Sequence, residues 1–261
     1  MIASFVILEY HSIDDVTTCI SAIRRLDLRF EYEIIVSSNS TYDREQQRKL
    51  LEMDWGVQWT FNRCNNGFAY GMNCGIRKAK GKFLILQNPD TQIIKGDLGE
   101  VFSMIERGRV GVVGPKIVNS KNEIQDSCRS FMTPTILLQR FYFRYVKRLQ
   151  NITKKNFDYS KMQTVDWVIG GFMIVPRTTI EAVGLLCEDY FLYIEDMDYC
   201  FNVWGKGLEV YYYPELCVQY EGDRKSSKVN VYSVYHLANY LRFLKKNLLR
   251  LFLWNRPRRG A

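Results

Sequence analysis

The sequence predicts an α/β protein whose central sheet is mostly parallel and is covered by helices on both faces. Segments rich in large apolar residues alternate with segments of helical apolar spacing, and the apolar runs are continuous rather than interrupted at every second residue. Continuous apolar strands are typical of parallel sheets. The polar turns after Tyr10, Ser38, Asn62 and Gln87 are then expected to gather at one edge of the sheet, where ligands bind in such folds.

The predicted elements follow one another at short intervals. The predicted strands are SFVILEY (4–10), YEIIVSS (32–38), VQWTFN (57–62), KFLILQ (82–87), GVVGPKIV (111–118), VDWVIGGFMIVPR (165–177) and LEVYYYPELCVQYEG (208–222). Helical patterns occupy residues 12–26 and 44–54, the segment that ends at Gly81, the second half of 180–207 and the end of the chain. Residues 126–163 are aromatic and basic and predict a loop followed by a helix.

The composition is that of a globular protein with a basic end. Of the 261 residues, 47% are hydrophobic and 25% are charged, which favours one folded domain with or without a tail. We predict a domain over residues 1–228 and a basic amphipathic helical tail over 229–261. The formal charge of +8 is concentrated in this tail, where RFLKKNLLRLFLWNRPRRG contains no acid. Its position indicates an anionic partner at the end of the chain.

Several classes of protein are disfavoured. The positive charge is terminal and no DNA- or RNA-binding motif is present, so nucleic acid is not a predicted partner. The seven cysteines form no CxxC pair, which fits reduced thiols better than a disulfide framework. The N-terminal apolar run is too short for a signal peptide, and no apolar segment reaches the about 18–20 residues that span a bilayer. We therefore expect a cytoplasmic protein.

The turn Asn-Pro-Asp after the strand KFLILQ is the first candidate site. Pro89 fixes its own φ and pushes Asn88 toward extended geometry, so the turn holds two oxygen-bearing side chains in a stiff arrangement. Hard divalent cations prefer such oxygens and commonly bridge a carboxylate to a diphosphate. Asn88 and Asp90 therefore suit Mg²⁺ or Mn²⁺. The alternative is a polar turn that only ends a strand.

A Gly- and Asn-rich segment, NRCNNGFAYGMNCGIRKAKG, is the second candidate. Gly67 and Gly71 permit close approach of a backbone, and Asn66 and Asn73 offer amide hydrogen bonds. The segment leads into a predicted helix, whose N-terminus favours anions. It matches neither a Walker A loop nor GxGxxG, so a purely structural helix entry is the alternative.

Three carboxylates within four residues form the third candidate, in the segment YFLYIEDMDYCF. Glu195, Asp196 and Asp198 begin a predicted helix, where acids are usually solvated and stabilised by the helix dipole. Bulky apolar neighbours instead predict partial burial. A desolvated carboxylate with other acids nearby has a raised pKa and is suited to act as a general base.

Taken in order, these segments resemble glycosyltransferase family 2, the inverting GT-A transferases, and within it a rhamnosyltransferase-like branch. The resemblance runs from about residue 4 to residue 245. It is carried by FVILEYHSIDDVTTCISAI, IIVSSNSTYD, NNGFAYGMNCGIRKAKGKFLILQNPDTQI, VDWVIGGFMIVPR and VGLLCEDYFLYIEDMDYCFNVWGKG. The third and fifth of these segments are the specific ones.

The resemblance implies a role for each segment. Asp90 is expected to hold a divalent cation, Mg²⁺ or Mn²⁺, on the diphosphate of a nucleotide sugar. Asp196, in the Glu195-Asp196 pair, is expected to be the base that deprotonates the acceptor hydroxyl. The residues implied on the donor side are Tyr10, Ser38, Asn39, Asp43, Asn66, Gly67, Gly71, Asn73, Asn88 and Asp90. Those implied on the acceptor side are Trp167, Gly170 and Gly171, although a core role is an equal alternative for the tryptophan.

The chain departs from the family pattern at two positions. The nucleoside turn usually begins with Asp, and Ser38 stands there instead, which leaves base specificity open. A His usually follows the last strand, and Tyr220 takes its place, although a tyrosine oxygen is a poor metal ligand at neutral pH. Of the two histidines, His11 fits the nucleoside pocket and His236 fits packing or the acceptor edge.

The implied reaction is transfer of a sugar, rhamnose first among the candidates, from a dTDP- or UDP-linked donor to a glycan or lipid-linked acceptor. The basic tail is expected either to pack on the domain or to lie on an anionic membrane surface, in which case the protein is peripheral on the inner face of the cytoplasmic membrane. A second hypothesis is a catalytically weak member that binds a sugar nucleotide or a protein partner without efficient transfer.

Overall fold

A sheet of nine strands runs through the centre of the protein. The computed structural model describes residues 1–53, 55–131, 157–220 and 231–254. The strands of this sheet are β1 (Ala3–Glu9), β2 (Tyr32–Ser38), β3 (Gln58–Phe61), β4 (Phe83–Gln87), β5 (Thr91–Lys95), β6 (Val110–Val118), β8 (Gln163–Thr164), β10 (Phe172–Pro176) and β11 (Glu209–Tyr220). Their order across the sheet is β3-β2-β1-β4-β10-β6-β11-β5, with β8 paired to β11. A separate two-stranded sheet pairs β7 (Cys128–Arg129) with β9 (Trp167–Val168).

Helices cover both faces of the large sheet. They are α1 (Ile13–Arg24), α2 (Arg44–Glu52), α3 (Phe68–Lys78), α4 (Leu98–Arg107), α5 (Arg177–Val183), α6 (Glu195–Gly205) and α7 (Val231–Phe252). The buried side chains of the strands alternate between two apolar clusters, one on each face: Val6 and Leu8 of β1 belong to the cluster under α3 and α6, whereas Phe5 and Ile7 belong to the cluster under α1 and α4.

The predicted gathering of polar turns is confirmed. Strands β1, β2, β3 and β4 are parallel, and their registers align Glu9 with Ser38 and Ser38 with Phe61. The turns that follow these four strands therefore meet at one edge. The mostly parallel α/β architecture predicted from the apolar runs is the one observed.

Two local predictions are incomplete. The apolar run 165–177 is not one strand: it breaks at Gly170-Gly171, so that β9 joins the small sheet and β10 runs antiparallel between β4 and β6. Strand β5 and helix α4 were not among the predicted elements. Most of the predicted loop and helix in 126–163 lies outside the described residues, which resume at residue 157.

The C-terminal helix packs along α6 with one face. Asp198 of α6, which is 1% exposed, accepts hydrogen bonds from Nζ of Lys246 and Nδ2 of Asn247, both at 3.2 Å. Phe243 is buried in the same contact, with its ring 5.5 Å from that of Phe201. The described part of the predicted tail is thus in direct contact with the predicted 1–228 domain. Over the described ranges, no helix has the length and apolar character needed to cross a membrane.

Candidate functional site

The turn after β4 presents a carboxylate at the edge of the sheet. The backbone N–H of Asn88 donates to the Gly171 carbonyl at 2.9 Å, and the Asn88 side-chain amide donates to the Tyr220 hydroxyl at 3.1 Å. Asp90 is exposed two residues later. It borders a depression of about 190 Å³ together with Asp15, Thr18, Pro89, Gln92 and Gln219. The turn is therefore held by hydrogen bonds at Asn88, whereas the Asp90 side chain is exposed to solvent.

Tyr220, the last residue of β11, connects the β4 turn to the Gly170-Gly171 segment, because its hydroxyl accepts from Asn88 and its ring lies against Gly171. Burial, and then the charge of Asp90, raise the pKa of Tyr220 to about 12, and the charge of Asp196 contributes in the same direction. Asp90 follows Asn88 by two residues and Asp196 accepts from the Gly170 N–H, so both carboxylates belong to the same edge of the sheet. Tyr220 therefore remains a protonated phenol at neutral pH.

The Gly170-Gly171 segment allows this convergence. A Cβ on Gly171 would lie 2.8 Å from Cε1 of Tyr220, and one on Gly170 would lie 3.3 Å from Cβ of Asp196. The Gly170 N–H donates to Oδ2 of Asp196 at 2.8 Å. The two glycines thus connect the β4 turn, the end of β11 and the start of α6 in one contact.

The turn that carries the Glu195-Asp196 pair has an unusual backbone. Tyr193 and Ile194 have φ of 68° and 77°, a left-handed conformation that is strained for a β-branched residue such as isoleucine. Helix α7 supports the turn, since Nδ2 of Asn239 donates to the Leu192 carbonyl at 2.9 Å. Strained backbone held by a neighbouring element fixes the direction in which Asp196 points.

The two carboxyl groups of this pair differ in environment. Glu195 is 4% exposed, and its Oε2 atom has no hydrogen-bond partner among the described residues. Burial, and then the charge of Asp196, raise the pKa of Glu195 well above its usual range. Burial also raises the pKa of Asp196, but the N–H groups of Gly170 and Met197 stabilise its ionised form. Asp196 is therefore the member better suited to be an ionised base.

Arg129 and His236 are near enough to Asp196 for their charges to interact, and Trp167 packs against Arg129. The Arg129 guanidinium lies 5.3 Å from the Trp167 ring, which is 8% exposed and donates its Nε1–H to the Ser130 carbonyl at 3.4 Å. The His236 ring lies 5.7 Å from that of Tyr193. Burial lowers the pKa of His236, although the Asp196 carboxylate opposes this shift. This group of residues combines a cation, an imidazole and an aromatic ring.

Glu9 organises the predicted nucleoside turn. It is fully buried at the end of β1 and accepts hydrogen bonds from Oγ of Ser38 at 2.5 Å, Oγ of Ser40 at 3.0 Å and the Tyr42 hydroxyl at 3.1 Å. The Ser12 N–H donates to it at 3.0 Å. Glu9 thus places a carboxylate opposite Ser38, on the neighbouring strand.

Other predicted donor-side residues hold the loops in place. Asn39 is buried and donates to the Gly67 carbonyl at 2.9 Å, and Asn73 donates to the Leu186 carbonyl at 2.9 Å. Asp43 caps α2 through the N–H of Gln46 at 2.8 Å. The side chains of Asn39, Asn73 and Asp43 are therefore hydrogen-bonded within the protein.

Of the remaining predicted donor-side residues, Tyr10 and Asn66 are exposed and Gly67 and Gly71 are buried. Tyr10 is 51% exposed and its ring lies 4.4 Å from that of His11. Asn66 is exposed. Gly67 has φ of 98°, and a Cβ there would lie 2.3 Å from the Phe191 carbonyl oxygen. Gly71 is buried against Leu8 and Asn39 and has the same packing function.

Sequence reasoning missed Glu9 and Arg129. A charged residue at the end of an otherwise apolar strand was the available indication for Glu9. The hydroxyl groups that donate to Glu9 belong to residues 29 to 33 positions away along the chain, so only the strand register reveals these contacts. Nothing in the sequence around Arg129 distinguishes it from the many other basic residues.

A wider depression of about 630 Å³ lies elsewhere, at the start of β6 and β11. It is bordered by α4 residues and by Met162 and Tyr211. Because β6 is parallel to β11 and starts at the opposite edge of the sheet from the polar turns, this depression contains none of the predicted site residues. We assign it no role.

Comparison of the sequence with known proteins gives a family and two similar proteins. The chain matches Glycosyl transferase family 2 over residues 4–178. It is 23% identical over 212 residues to the low-salt glycan biosynthesis hexosyltransferase Agl10 of Haloferax volcanii, covering 79% of this chain and 63% of that protein. It is 24% identical over 222 residues to the rhamnosyltransferase WbbL of Escherichia coli, covering 82% of this chain and 83% of WbbL.

A solved structure shares the fold. GalNAc-T7, crystallised with UDP, GalNAc and Mn²⁺, superposes with a TM-score of 0.68 at 17% identity, covering 94% of this chain and 48% of that one. This likeness confirms the predicted GT-A fold. The chain spans less than two thirds of the length of Agl10 and about half of the GalNAc-T7 chain.

Removal of the Glu9 carboxylate tests its role in the nucleoside turn. Glu9→Ala leaves the buried hydroxyls of Ser38 and Ser40 without their acceptor, so we expect the free energy of unfolding to fall by about 3 kcal/mol in urea titrations. Ser38→Asp added to Glu9→Ala returns a carboxylate to the adjacent strand and should restore much of this loss. The control Glu45→Ala removes only an exposed ion pair on α2, worth at most about 1 kcal/mol. Equal stability of Glu9→Ala and wild type would contradict the assignment.

Proposed function

Because the chain belongs to glycosyl transferase family 2, we propose that it is an inverting glycosyltransferase that moves a sugar from a nucleoside-diphosphate sugar to a hydroxyl group of a glycan or lipid-linked acceptor. The observation that carries this proposal is the contact network at one sheet edge, in which Tyr220 touches Asn88 and Gly171 and the neighbouring Gly170 N–H donates to Asp196. Asp90, two residues after Asn88, is exposed and suits a cation, whereas Asp196 is half-buried and suits a proton. A metal-assisted inverting transfer uses both.

The donor lies along the turns after β1, β2 and β4. Tyr10 offers an exposed ring for the base, and the turn held by Glu9 positions Ser38 to Tyr42 beside it. Asp90, with the Asn88 amide oxygen nearby, would hold a divalent cation on the diphosphate. Among the described residues no three His, Cys, Asp or Glu side chains converge into a metal cage, so oxygens of the diphosphate and water would complete the coordination. When bound, the cation stabilises the negative charge of the departing diphosphate.

Asp196 is the general base. Its Oδ2 atom accepts a hydrogen bond from the Gly170 N–H, next to the Gly171 backbone that lies against Tyr220. The acceptor oxygen attacks the anomeric carbon from the face opposite the nucleotide, its proton passes to Asp196, and the bond to the diphosphate breaks as the glycosidic bond forms. Glu195, with its raised pKa, remains the protonated partner behind it. Arg129 and His236 border the acceptor.

The finer assignments rest on relatives and on the C-terminal segment. The name of WbbL supports rhamnose and hence a dTDP-linked donor, whereas the UDP complex of GalNAc-T7 supports a UDP-linked one. The same complex supports Mn²⁺ as the cation, with Mg²⁺ as the alternative. The protein works in the cytoplasm, at the inner face of the membrane, which it meets through its segment 229–261.

A second candidate is a member that binds a sugar nucleotide without efficient transfer. Tyr220 favours this alternative, because a protonated phenol stands where the family places a metal-binding imidazole. The two candidates are separated by incubating the protein with Mn²⁺ and a panel of dTDP-, UDP- and GDP-sugars and measuring nucleotide release with and without a lipid-linked acceptor. Tight binding with no release on any acceptor would favour the binder.

Asp196→Asn tests the base assignment. The amide keeps the size of the side chain but cannot take a proton, so we expect the transfer rate to fall by about 10²–10⁴-fold while donor affinity is retained. In the wild type, the raised pKa of Asp196 means that transfer should decline as the pH falls through that raised value, above the usual 3.8 of an aspartate. The matched control is Asp14→Asn, an exposed aspartate on α1. Equal loss of donor binding and transfer in Asp196→Asn would reject the role.

A further inference from the structure

The outer face of α7 carries a row of exposed apolar side chains, the α7 stripe. Its members share one side of the helix because they follow at intervals of three, four, seven and four residues. They are Val234, Leu237, Leu241, Leu248 and Phe252, which are 65%, 61%, 56%, 47% and 54% exposed. The outer face of a surface helix is ordinarily polar, so a continuous apolar row there indicates a contact surface.

The stripe is not the side of α7 that packs on the protein. Asn239, Phe243 and Asn247 lie on the opposite side of the helix and are buried against α6 and the turn before it. Among the described residues, α7 therefore has a buried face, formed by apolar and amide side chains, and an exposed face that is apolar.

Cations accompany the stripe, and acids are absent. Lys245 stands in the gap between Leu241 and Leu248, and Arg242 is exposed beside the row. Lys246 and Arg250 lie farther round the helix, where Lys246 pairs with Asp198 and the Arg250 guanidinium lies 4.5 Å from the Phe201 ring. Residues 231–254 contain no Asp or Glu. An apolar row with a cationic border on one helix is the pattern of a helix that lies in a lipid interface.

We propose that the α7 stripe docks on an anionic lipid membrane with the helix parallel to the surface. The leucine and phenylalanine side chains enter the boundary between headgroups and acyl chains, while the charged groups of Lys245 and Arg242 remain at the level of the lipid phosphates. This proposal rests on the proposed function for its setting, since the acceptor may be carried by a lipid, but the contact itself requires no sugar transfer.

Charge distinguishes lipid from a second copy of the chain. A symmetric pair of α7 helices would bring each stripe against itself, and all the ionic side chains of α7 are positive. Lys245 and Arg242 of each copy would then face like charges. An anionic surface instead complements both of these exposed cations.

Docking would place the acceptor side of the site close to the lipid. The inner face of α7 holds the base turn through Asn239, and His236 packs against Tyr193 in that turn. The stripe lies across the same helix, whose diameter with side chains is about 10 Å. A hydroxyl carried on a lipid-linked acceptor could therefore reach Asp196 from the membrane surface.

Vesicle sedimentation tests the contact directly. The full chain is mixed with vesicles of phosphatidylcholine alone or with phosphatidylglycerol added, and the pelleted fraction is measured. We expect binding to the anionic vesicles, weakened by salt. Replacing Leu237, Leu241 and Leu248 by Gln should lower the partition at least about tenfold. The matched control replaces Leu51, Met53 and Ile124, which are 59%, 54% and 46% exposed on other elements, by Gln and should bind as the wild type does.

Two results would overturn the proposal. One is equal sedimentation of the wild type and the stripe variant, with circular dichroism showing that both are folded. The other is a concentration-dependent dimer in light scattering that the stripe variant abolishes, because a second copy would then occupy the stripe. Asp196→Asn separates this proposal from the proposed function: it should bind vesicles as the wild type does. Vesicle binding without transfer on any donor would support docking and refute the enzyme.

Discussion

The absence of side chains at Gly170 and Gly171 is the constraint on which the rest of the site depends. At these two positions the chain leaves the small sheet and enters the centre of the large one, and both Asp196 and Tyr220 lie against its backbone. The Gly171 carbonyl accepts from Asn88, and the Gly170 N–H donates to Asp196. Three elements that are distant in sequence thereby share one short stretch of backbone. A Cβ at Gly171 would lie 2.8 Å from the Tyr220 ring, so a side chain there would require the ring or the backbone to shift.

Three buried carboxyl groups show how environment assigns different roles to the same chemistry. Glu9 and Asp198 each accept several hydrogen bonds, and they hold together the nucleoside turn and the α6–α7 contact. Glu195 has an oxygen without such a partner among the described residues, and its pKa is raised. A carboxylate that accepts several hydrogen bonds holds the neighbouring segments together. A carboxyl group that has few donors and an adjacent acid keeps its proton, and the adjacent acid is left as the ionised member of the pair.

The sequence was sufficient for the architecture because continuous apolar runs and helical spacing depend on local burial. It predicted the strands up to residue 87, the edge at which their turns meet, and the acidic start of α6. It did not predict the break at Gly170-Gly171, because an apolar run looks the same whether it serves one sheet or two. It also missed the Glu9 network, whose partners come from the neighbouring strand and turn, and the exposed α7 stripe, since an amphipathic pattern does not show which of two apolar faces is covered.

Helix α7 links the chemistry of the site to its surroundings. Through Asn239 it supports the left-handed turn at Tyr193 and Ile194, and through Lys246 and Asn247 it is fixed to Asp198. A contact on the outer face of this helix is therefore mechanically close to the proposed base. The same helix therefore supports the turn that carries Asp196 and bears the surface proposed to meet the membrane.

The most direct measurement is a crystal structure of the chain soaked with Mn²⁺ and a nucleoside diphosphate, with the cation located from its anomalous scattering. We expect one strong peak in contact with the Asp90 carboxylate and the diphosphate, on the side of Tyr220 that also faces Asp196. A cation bound at another edge of the sheet, with the diphosphate away from Asp90, would contradict the claim that these two carboxylates serve one reaction.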